Sequence, residues 1–215
     1  MLLKTLLPAD TAVVELRQFP DADTLLPAEA ALSQRFVRKR LLEFAAGRWC
    51  ARTALREFSV IDFPILIGEQ RQPLWPAGFT GSITHTDNYC AAVVAPQQSV
   101  SALGIDAEMV GRVGADLWPI LFRAKELDGL NALSSAQQAV TAALLFSGKE
   151  AFFKCQFPLT GAWLDFRDVE MTVEDDSHFR VDVIGKIRSP HRYSGRYGLA
   201  QDGQLLFTTM VARQS

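Results

Sequence analysis

The run Gly104-Ile105-Asp106-Ala107-Glu108 sets two carboxylates two positions apart. On a strand such residues share a face, so Asp106 and Glu108 point the same way while Ile105 and Ala107 turn to the core. Neighbouring carboxylates repel unless a cation or a proton lies between them. Hard oxygen ligands of this kind suit Mg2+, which takes one or two protein carboxylates and completes its shell with substrate phosphates. The competing reading is the solvated face of an edge strand. Forty residues on, Phe146-Ser147-Gly148-Lys149-Glu150-Ala151-Phe152-Phe153-Lys154 places Glu150 and Lys154 at i, i+4, on one face if the segment is helical. That spacing is also common on solvated helices, but the flanking Phe152 and Phe153 argue for a surface packed against something. The segment is no P-loop, because Ala143 stands where the first glycine belongs and Glu150 follows Lys149 in place of Ser or Thr.

Two further groups of residues suit anions. Gly81-Ser82-Ile83-Thr84-His85-Thr86 is a small-residue strand end with hydroxyls and an imidazole, able to approach a phosphate closely. A hydrolase triad of Ser82, His85 and Asp87 is the rival, yet triads are assembled from distant segments and no G-x-S-x-G elbow is present. A hydrogen-bonded core histidine is the bland reading. Arg40 and Arg48 lie eight residues apart, about two helical turns, and with Arg71 could hold phosphate bidentately. An ordinary solvated arginine face fits equally well. Jointly the inventory is that of metal-assisted phosphoryl-group chemistry on a nucleotide-like substrate.

The elements that must position these groups follow from periodicity. A first strand is predicted at 11–19 and a helix over 28–58, where Phe36, Arg40, Phe44 and Arg48 recur at i+4. Within it Gly47 marks a close approach or a soft break. A short strand at 64–67 leads into a Gly- and Pro-punctuated loop, GEQRQPLWPAGF. Strands at 81–86 and 90–95 read as a hairpin across Asp87-Asn88, and a third strand at 100–110 carries the paired carboxylates. Residues 117–153 read as mostly helical, with 136–153 the clearest helix, and strands follow at 169–173, 179–184, 197–200 and 205–211. Strands and helices come in blocks, so the fold class is α+β rather than a doubly wound sheet.

Composition bounds the answer. The 215 residues suffice for one large domain or two small ones, and 48% hydrophobic against 21% charged residues excludes a disordered chain. The 22 Lys+Arg nearly balance 24 Asp+Glu, so no global footprint for nucleic acid appears. Cys50, Cys90 and Cys155 are odd in number and widely spaced, which predicts buried reduced thiols rather than disulfides or a zinc site. The apolar run at the start is too short for a signal-peptide core, and the longest apolar stretch, 142–146, falls far short of a membrane span. A cytoplasmic protein is expected.

In order along nearly the whole chain, RLLEFAAGR, RQPLWPAG, GSITHT, GIDAE and FSGKEAFFK resemble the 4'-phosphopantetheinyl transferases, and specifically the monomeric two-lobed type. Between its enterobactin-synthesis and surfactin-synthesis branches, the former is the closer match. The resemblance implies two similar α+β lobes, each a helix packed on a small mostly antiparallel sheet, at 1–102 and 103–215, with coenzyme A in the cleft between them. It implies transfer of the phosphopantetheine arm of coenzyme A to a serine of an apo acyl, peptidyl or aryl carrier protein, with release of 3',5'-ADP, in siderophore, nonribosomal-peptide or polyketide synthesis.

By the same resemblance Asp106, Glu108 and Glu150 are the ligands of Mg2+, or of Mn2+ in its place, and Glu150 is also the general base. Lys154 stabilises the pyrophosphate, with Lys149 beside it, and Asp106 faces the same group. Arg40 and Arg48 hold the phosphates on the adenosine side, Thr84 and His85 contact coenzyme A, and Gln70 and Arg71 lie against adenine and ribose. Ala107, Thr84 and Phe146 depart from the commonest family residues without removing a catalytic group. Carrier proteins of this kind are generally acidic around their serine, and the apolar stretch of Cys155, Phe157, Leu159 and Trp163 is a candidate flank for one. A metal-dependent phosphohydrolase and an inactive carrier-binding module are the rival functions.

Overall fold

A computed structural model of the chain describes residues 2–184 and 193–213. In chain order the elements are α1 (Leu2–Thr5), β1 (Ala12–Leu16), α2 (Pro27–Ser33), α3 (Arg38–Arg56), β2 (Leu66–Ile67), β3 (Pro73–Leu74), β4 (Phe79–Thr86) and β5 (Tyr89–Pro96). They continue with β6 (Ala102–Met109), α4 (Trp118–Leu121), α5 (Ala124–Asn131), α6 (Ser135–Thr160), β7 (Val169–Val173), β8 (His178–Val183), β9 (Tyr193–Leu199) and β10 (Leu205–Ala212). The chain divides into two units, Ala9–Ser101 and residues 2–8 together with Ala102–Ala212. Each lays a long helix on an antiparallel sheet, so the α+β class and the paired lobe architecture are as expected.

In the unit formed by Ala9–Ser101 the sheet order is β1-β5-β4. The β4–β5 hairpin turns on Asp87-Asn88, with Thr86 opposite Tyr89. Small residues of α3, Ala46, Cys50, Ala51 and Ala54, pack on Cys90, Ala92 and Val94 of β5, and this lets helix and sheet approach closely. Gly47 is such an approach and no break: a Cβ there would come within 3.0 Å of Ile83 Cγ2. The break falls earlier. The helix expected over 28–58 splits at 34–37, where Val37 takes an extended conformation (φ −65°, ψ 153°) and starts α3 afresh. The punctuated loop also holds more order than expected, since β2 and β3 pair across residues 68–72.

The other unit carries the sheet β6-β10-β9-β8-β7. Against it α6 buries Leu144, Leu145, Ala151, Phe152 and Cys155 among Val169, Met171, Phe179, Val181 and Tyr193. The helical stretch expected over 117–153 is three helices, and α6 runs on through Pro158 to Thr160. Its last turn is held by the Gly161 amide donating to Phe157 O (2.9 Å) in the left-handed conformation that glycine tolerates. Strand β9 begins four residues earlier than expected, at Tyr193. All three cysteines are buried and unpaired by disulfide, as predicted.

The two units share a device that the sequence did not reveal. Glu29, third residue of α2, accepts the amide of Leu26 (3.0 Å), the amide of Ile65 (2.9 Å) and the guanidinium of Arg52 from α3. Glu126, third residue of α5, accepts the amide of Arg123 (2.8 Å), the amide of Met171 (2.7 Å) and the ammonium of Lys149 from α6 (2.7 Å). Each buried carboxylate thus caps a short helix, holds a strand-side amide and neutralises a cation of the long helix. Three hydrogen bonds and a paired cation are what make such a buried charge tolerable.

Candidate active site

Strand β6 and helix α6 present the carboxylates. Gly104 faces the helix so closely that a Cβ would collide with the Ala151 carbonyl oxygen. Ser147 and Thr208 stitch α6 to β10, hydroxyl to hydroxyl at 2.8 Å and Thr208 Oγ1 to Ser147 O at 2.9 Å. Thr208 is the register partner of Asp106. Asp106 therefore lies under α6, 7% exposed, where Lys154 Nζ donates to its Oδ1 at 2.7 Å and to Ile105 O at 3.1 Å. Glu150 sits one helical turn before Lys154, and Glu108 two positions beyond Asp106, its Oε1 accepting the Met109 amide at 2.8 Å.

The charges of Glu108, Glu150 and Lys154 are set by burial and by one another and Asp106. Burial raises the pKa of the Glu150 carboxyl, and the Asp106 charge adds to the rise while Lys154 opposes it. Burial likewise raises that of Glu108; Asp106 and Glu150 contribute, against the Met109 amide and Arg112. For Lys154, burial favours the neutral amine, but Asp106, Glu150 and Glu108 outweigh it and the pKa rises. Among the described residues no three His, Cys, Asp or Glu side chains form a ready-made metal cage. The donor set nevertheless fits Mg2+, whose shell needs only one or two carboxylates when phosphate oxygens and waters supply the rest.

Lys149 does not join this group. It is fully buried, its Nζ donating to Glu126 (2.7 Å), Leu121 O (3.0 Å) and Phe166 O (2.9 Å), which uses all three ammonium hydrogens. The expectation that it lies beside Lys154 against the ligand gives way to a role inside the protein. Adjacent positions on a helix point about 100° apart, so Lys149 turns inward while Glu150 faces β6.

In the other unit α3 and β4 bring Arg40 to His85, Nη1 to Nε2 at 3.0 Å. Glu43, which the sequence reading passed over, lies 3.6 Å from Arg40 and 3.8 Å from His85 Nδ1. Its signal was the i, i+3 spacing from Arg40. Arg48 shares the stripe of Arg40 and is 8% exposed. Its guanidinium lies 4.0 Å over the Phe44 ring, Nε donates to Ile65 O at 3.0 Å, and burial lowers its pKa to about 10. Thr84 is buried on the opposite strand face from His85, as alternation requires. Gln70 and Arg71 are exposed at the tip of the β2–β3 hairpin, with Arg71 in the left-handed region (φ 64°). Asp87 pairs with Lys39 at 2.7 Å and Arg40 with His85, so the hydrolase rival gains no support from this face.

The family model of the 4'-phosphopantetheinyl transferase N-terminal domain matches residues 28–95, and that of the 4'-phosphopantetheinyl transferase superfamily matches 102–206. 4'-Phosphopantetheinyl transferase PptT of Mycobacterium tuberculosis is 40% identical over 181 residues, covering 82% of this chain and 79% of its own. The chain belongs to the 4'-phosphopantetheinyl transferase superfamily. 4'-Phosphopantetheinyl transferase Svp of Streptomyces mobaraensis is 38% identical over 192 residues, covering 87% of this transferase and 78% of its own chain. Enterobactin synthase component D of Salmonella typhi is 40% identical over 119 residues, covering 54% and 48% of the two chains. No helix among the described residues is long and apolar enough to cross a membrane.

Proposed function

We propose that this transferase moves the 4'-phosphopantetheine arm of coenzyme A to a serine of an apo acyl, peptidyl or aryl carrier protein, releasing 3',5'-ADP. It acts as a cytoplasmic monomer in siderophore, nonribosomal-peptide or polyketide synthesis, and the likeness to enterobactin synthase component D favours the siderophore among these pathways. The observation that carries the reading is the pairing of Lys154 with Asp106 one turn from Glu150, in a chain of this superfamily. When bound, Mg2+ held by Asp106, Glu108 and Glu150 supplies positive charge to the pyrophosphate oxygens.

Glu150 accepts the proton of the carrier serine hydroxyl. The serine oxygen then bonds to the phosphorus that bears pantetheine, and the bond from that phosphorus to the bridging oxygen breaks, leaving the charge on 3',5'-ADP. Lys154 keeps a full positive charge beside those oxygens because three carboxylates favour its protonated form. Arg40, with His85, and Arg48 hold the phosphates on the nucleotide side, and Thr84, Gln70 and Arg71 complete the contacts to coenzyme A. Lys149 is left out of these contacts, its donors being spent internally.

The test is intact-mass analysis of an apo carrier after incubation with the protein, coenzyme A and Mg2+. The carrier gains the phosphopantetheine mass in step with 3',5'-ADP release, and EDTA stops both. Coenzyme A consumed without mass on the carrier would instead show the phosphohydrolase, and neither change would show the inactive binding module.

A further inference from the structure

Phe166 opens a 3-10 turn, Phe166–Asp168, ahead of β7. Its ring stacks on Phe146 with centroids 5.4 Å apart and planes at 13°. It also meets Phe153 edge-on, at 5.5 Å and 80°. Phe146 and Phe153 are seven residues apart on α6, which is about 10.5 Å along a helix axis. Two centroid separations of this size only just bridge that length, so the Phe166 ring lies between the other two, level with the helical turn that carries Glu150. Phe146, Glu150 and Phe153 fall at i, i+4 and i+7, a single stripe of the helix. The backbone of the same residue is tied to α6 as well, because Phe166 O accepts the Lys149 ammonium at 2.9 Å. Lys149 is itself immobilised by Glu126 and Leu121 O.

We propose that Phe166 is a positioning residue of the transfer reaction: wedged between Phe146 and Phe153 and anchored through its carbonyl to Lys149, it walls one side of Glu150 and fixes the direction in which that carboxylate faces. The role rests on the transferase reading of Glu150. It also gives Lys149 a purpose that no ligand contact supplies, since the buried ammonium holds the turn from which the wall is built.

Phe166→Leu keeps apolar bulk but loses the flat ring, and Phe166→Tyr keeps the ring. The measurements are kcat and KM for both substrates, Kd for coenzyme A by calorimetry, and amide hydrogen exchange over residues 146–154, with 178–183 as reference. Loss of orientation without loss of binding predicts that Phe166→Leu lowers kcat about tenfold and leaves Kd for coenzyme A within about twofold. Exchange then accelerates in 146–154 and not in the reference strand, and Phe166→Tyr restores kcat to within about threefold of the parent. The role is overturned if kcat of Phe166→Leu stays within about twofold of the parent, if affinity for coenzyme A falls by the same factor as kcat, if exchange rises in both segments, or if the tyrosine variant is as impaired as the leucine one. A parent chain that transfers nothing overturns the transferase reading and this role with it, whereas a competent parent with an indifferent leucine variant overturns this role alone.

Discussion

Replacing Gly104 with alanine tests how the carboxylate strand is brought under α6. An added Cβ would lie 2.8 Å from Cys155 N and 2.9 Å from Ala151 C, and closer still to the Ala151 carbonyl oxygen. All three are backbone atoms of α6, so no side chain can swing aside, and the helix itself must retreat by on the order of 1 Å to regain van der Waals contact. Forced overpacking of this kind costs about 1–3 kcal/mol, and a rigid opposing backbone puts this site at the upper end, about 3 kcal/mol. The same retreat draws Glu150 and Lys154 away from Asp106, and a misplacement of ~1 Å costs about 100-fold in rate. Urea unfolding followed by tryptophan fluorescence gives the stability, and carrier mass analysis gives the rate. Gly129→Ala is the matched control: Gly129 lies inside α5 with nothing within 4 Å of an added Cβ, so the change stabilises by about 0.5–1 kcal/mol. A Gly104→Ala protein within about 0.5 kcal/mol of the parent would refute the close-approach argument.

Glu150→Gln lowers transfer about 100- to 10,000-fold, the range for loss of a general base, measured as carrier modification per unit time. Without divalent metal the same variant is at least as stable as the parent near neutral pH, because the folded Glu150 pKa lies above its unfolded value. The sign follows: below the ordinary carboxylate range both states hold the proton and the variant gains nothing, and its advantage grows as pH rises through the folded pKa; urea midpoints across pH check it. Lys149→Met strands the buried Glu126 carboxylate and costs about 3–5 kcal/mol, read from the same unfolding curves. Arg40→Met weakens coenzyme A binding about 10- to 100-fold by calorimetry with little change in stability, since loss of a charge-assisted phosphate contact is worth about 1.5–3 kcal/mol. Arg48→Met weakens binding and stability together, because Arg48 also donates to Ile65 O inside the unit.

The elements were legible where one period dominated. Asp87-Asn88 between two apolar runs specified its hairpin, and the 169–173 strand was read to the residue. The i+4 recurrence of Arg40, Phe44 and Arg48 was also real, but Phe36, which continued it on paper, lies outside α3, and so the recurrence concealed the break at Val37. Glu150 and Lys154, close in sequence, share one face of α6 as their spacing predicts, and Lys154 there meets Asp106. Lys149 was misplaced because side-chain direction on a helix depends on which face the rest of the unit covers, and sequence adjacency to Glu150 carries no such information. Glu29 and Glu126 were missed for a related reason. An acidic residue at the third position of a helix signals an N-terminus, but only tertiary structure shows that its carboxylate also reaches a strand amide and a distant cation.

The matched glutamates give the two units a common scaffold. In both units a buried carboxylate fixes a long helix near the residues proposed above to meet coenzyme A or the metal. Arg52, held by Glu29, lies one turn from Arg48, and Ile65 joins them through its amide to Glu29 and its carbonyl to Arg48. Lys149, held by Glu126, directly precedes Glu150, and Phe166 continues the chain of contacts through its carbonyl and ring. The choice of cation follows the partners. Arg52 offers a fork that reaches Glu29 and the Thr24 carbonyl together, whereas Lys149 must satisfy a carboxylate and two carbonyls arrayed around a single point, which three tetrahedral donors do and a planar guanidinium does not. Lys149→Arg is therefore no conservative exchange: the longer planar group cannot meet the three acceptors in a site with no exposed surface, and the strain falls on the turn carrying Phe166 beside Glu150. Arg52→Lys leaves one of two acceptors reachable and, by the same geometry, disturbs Arg48 only through Glu29.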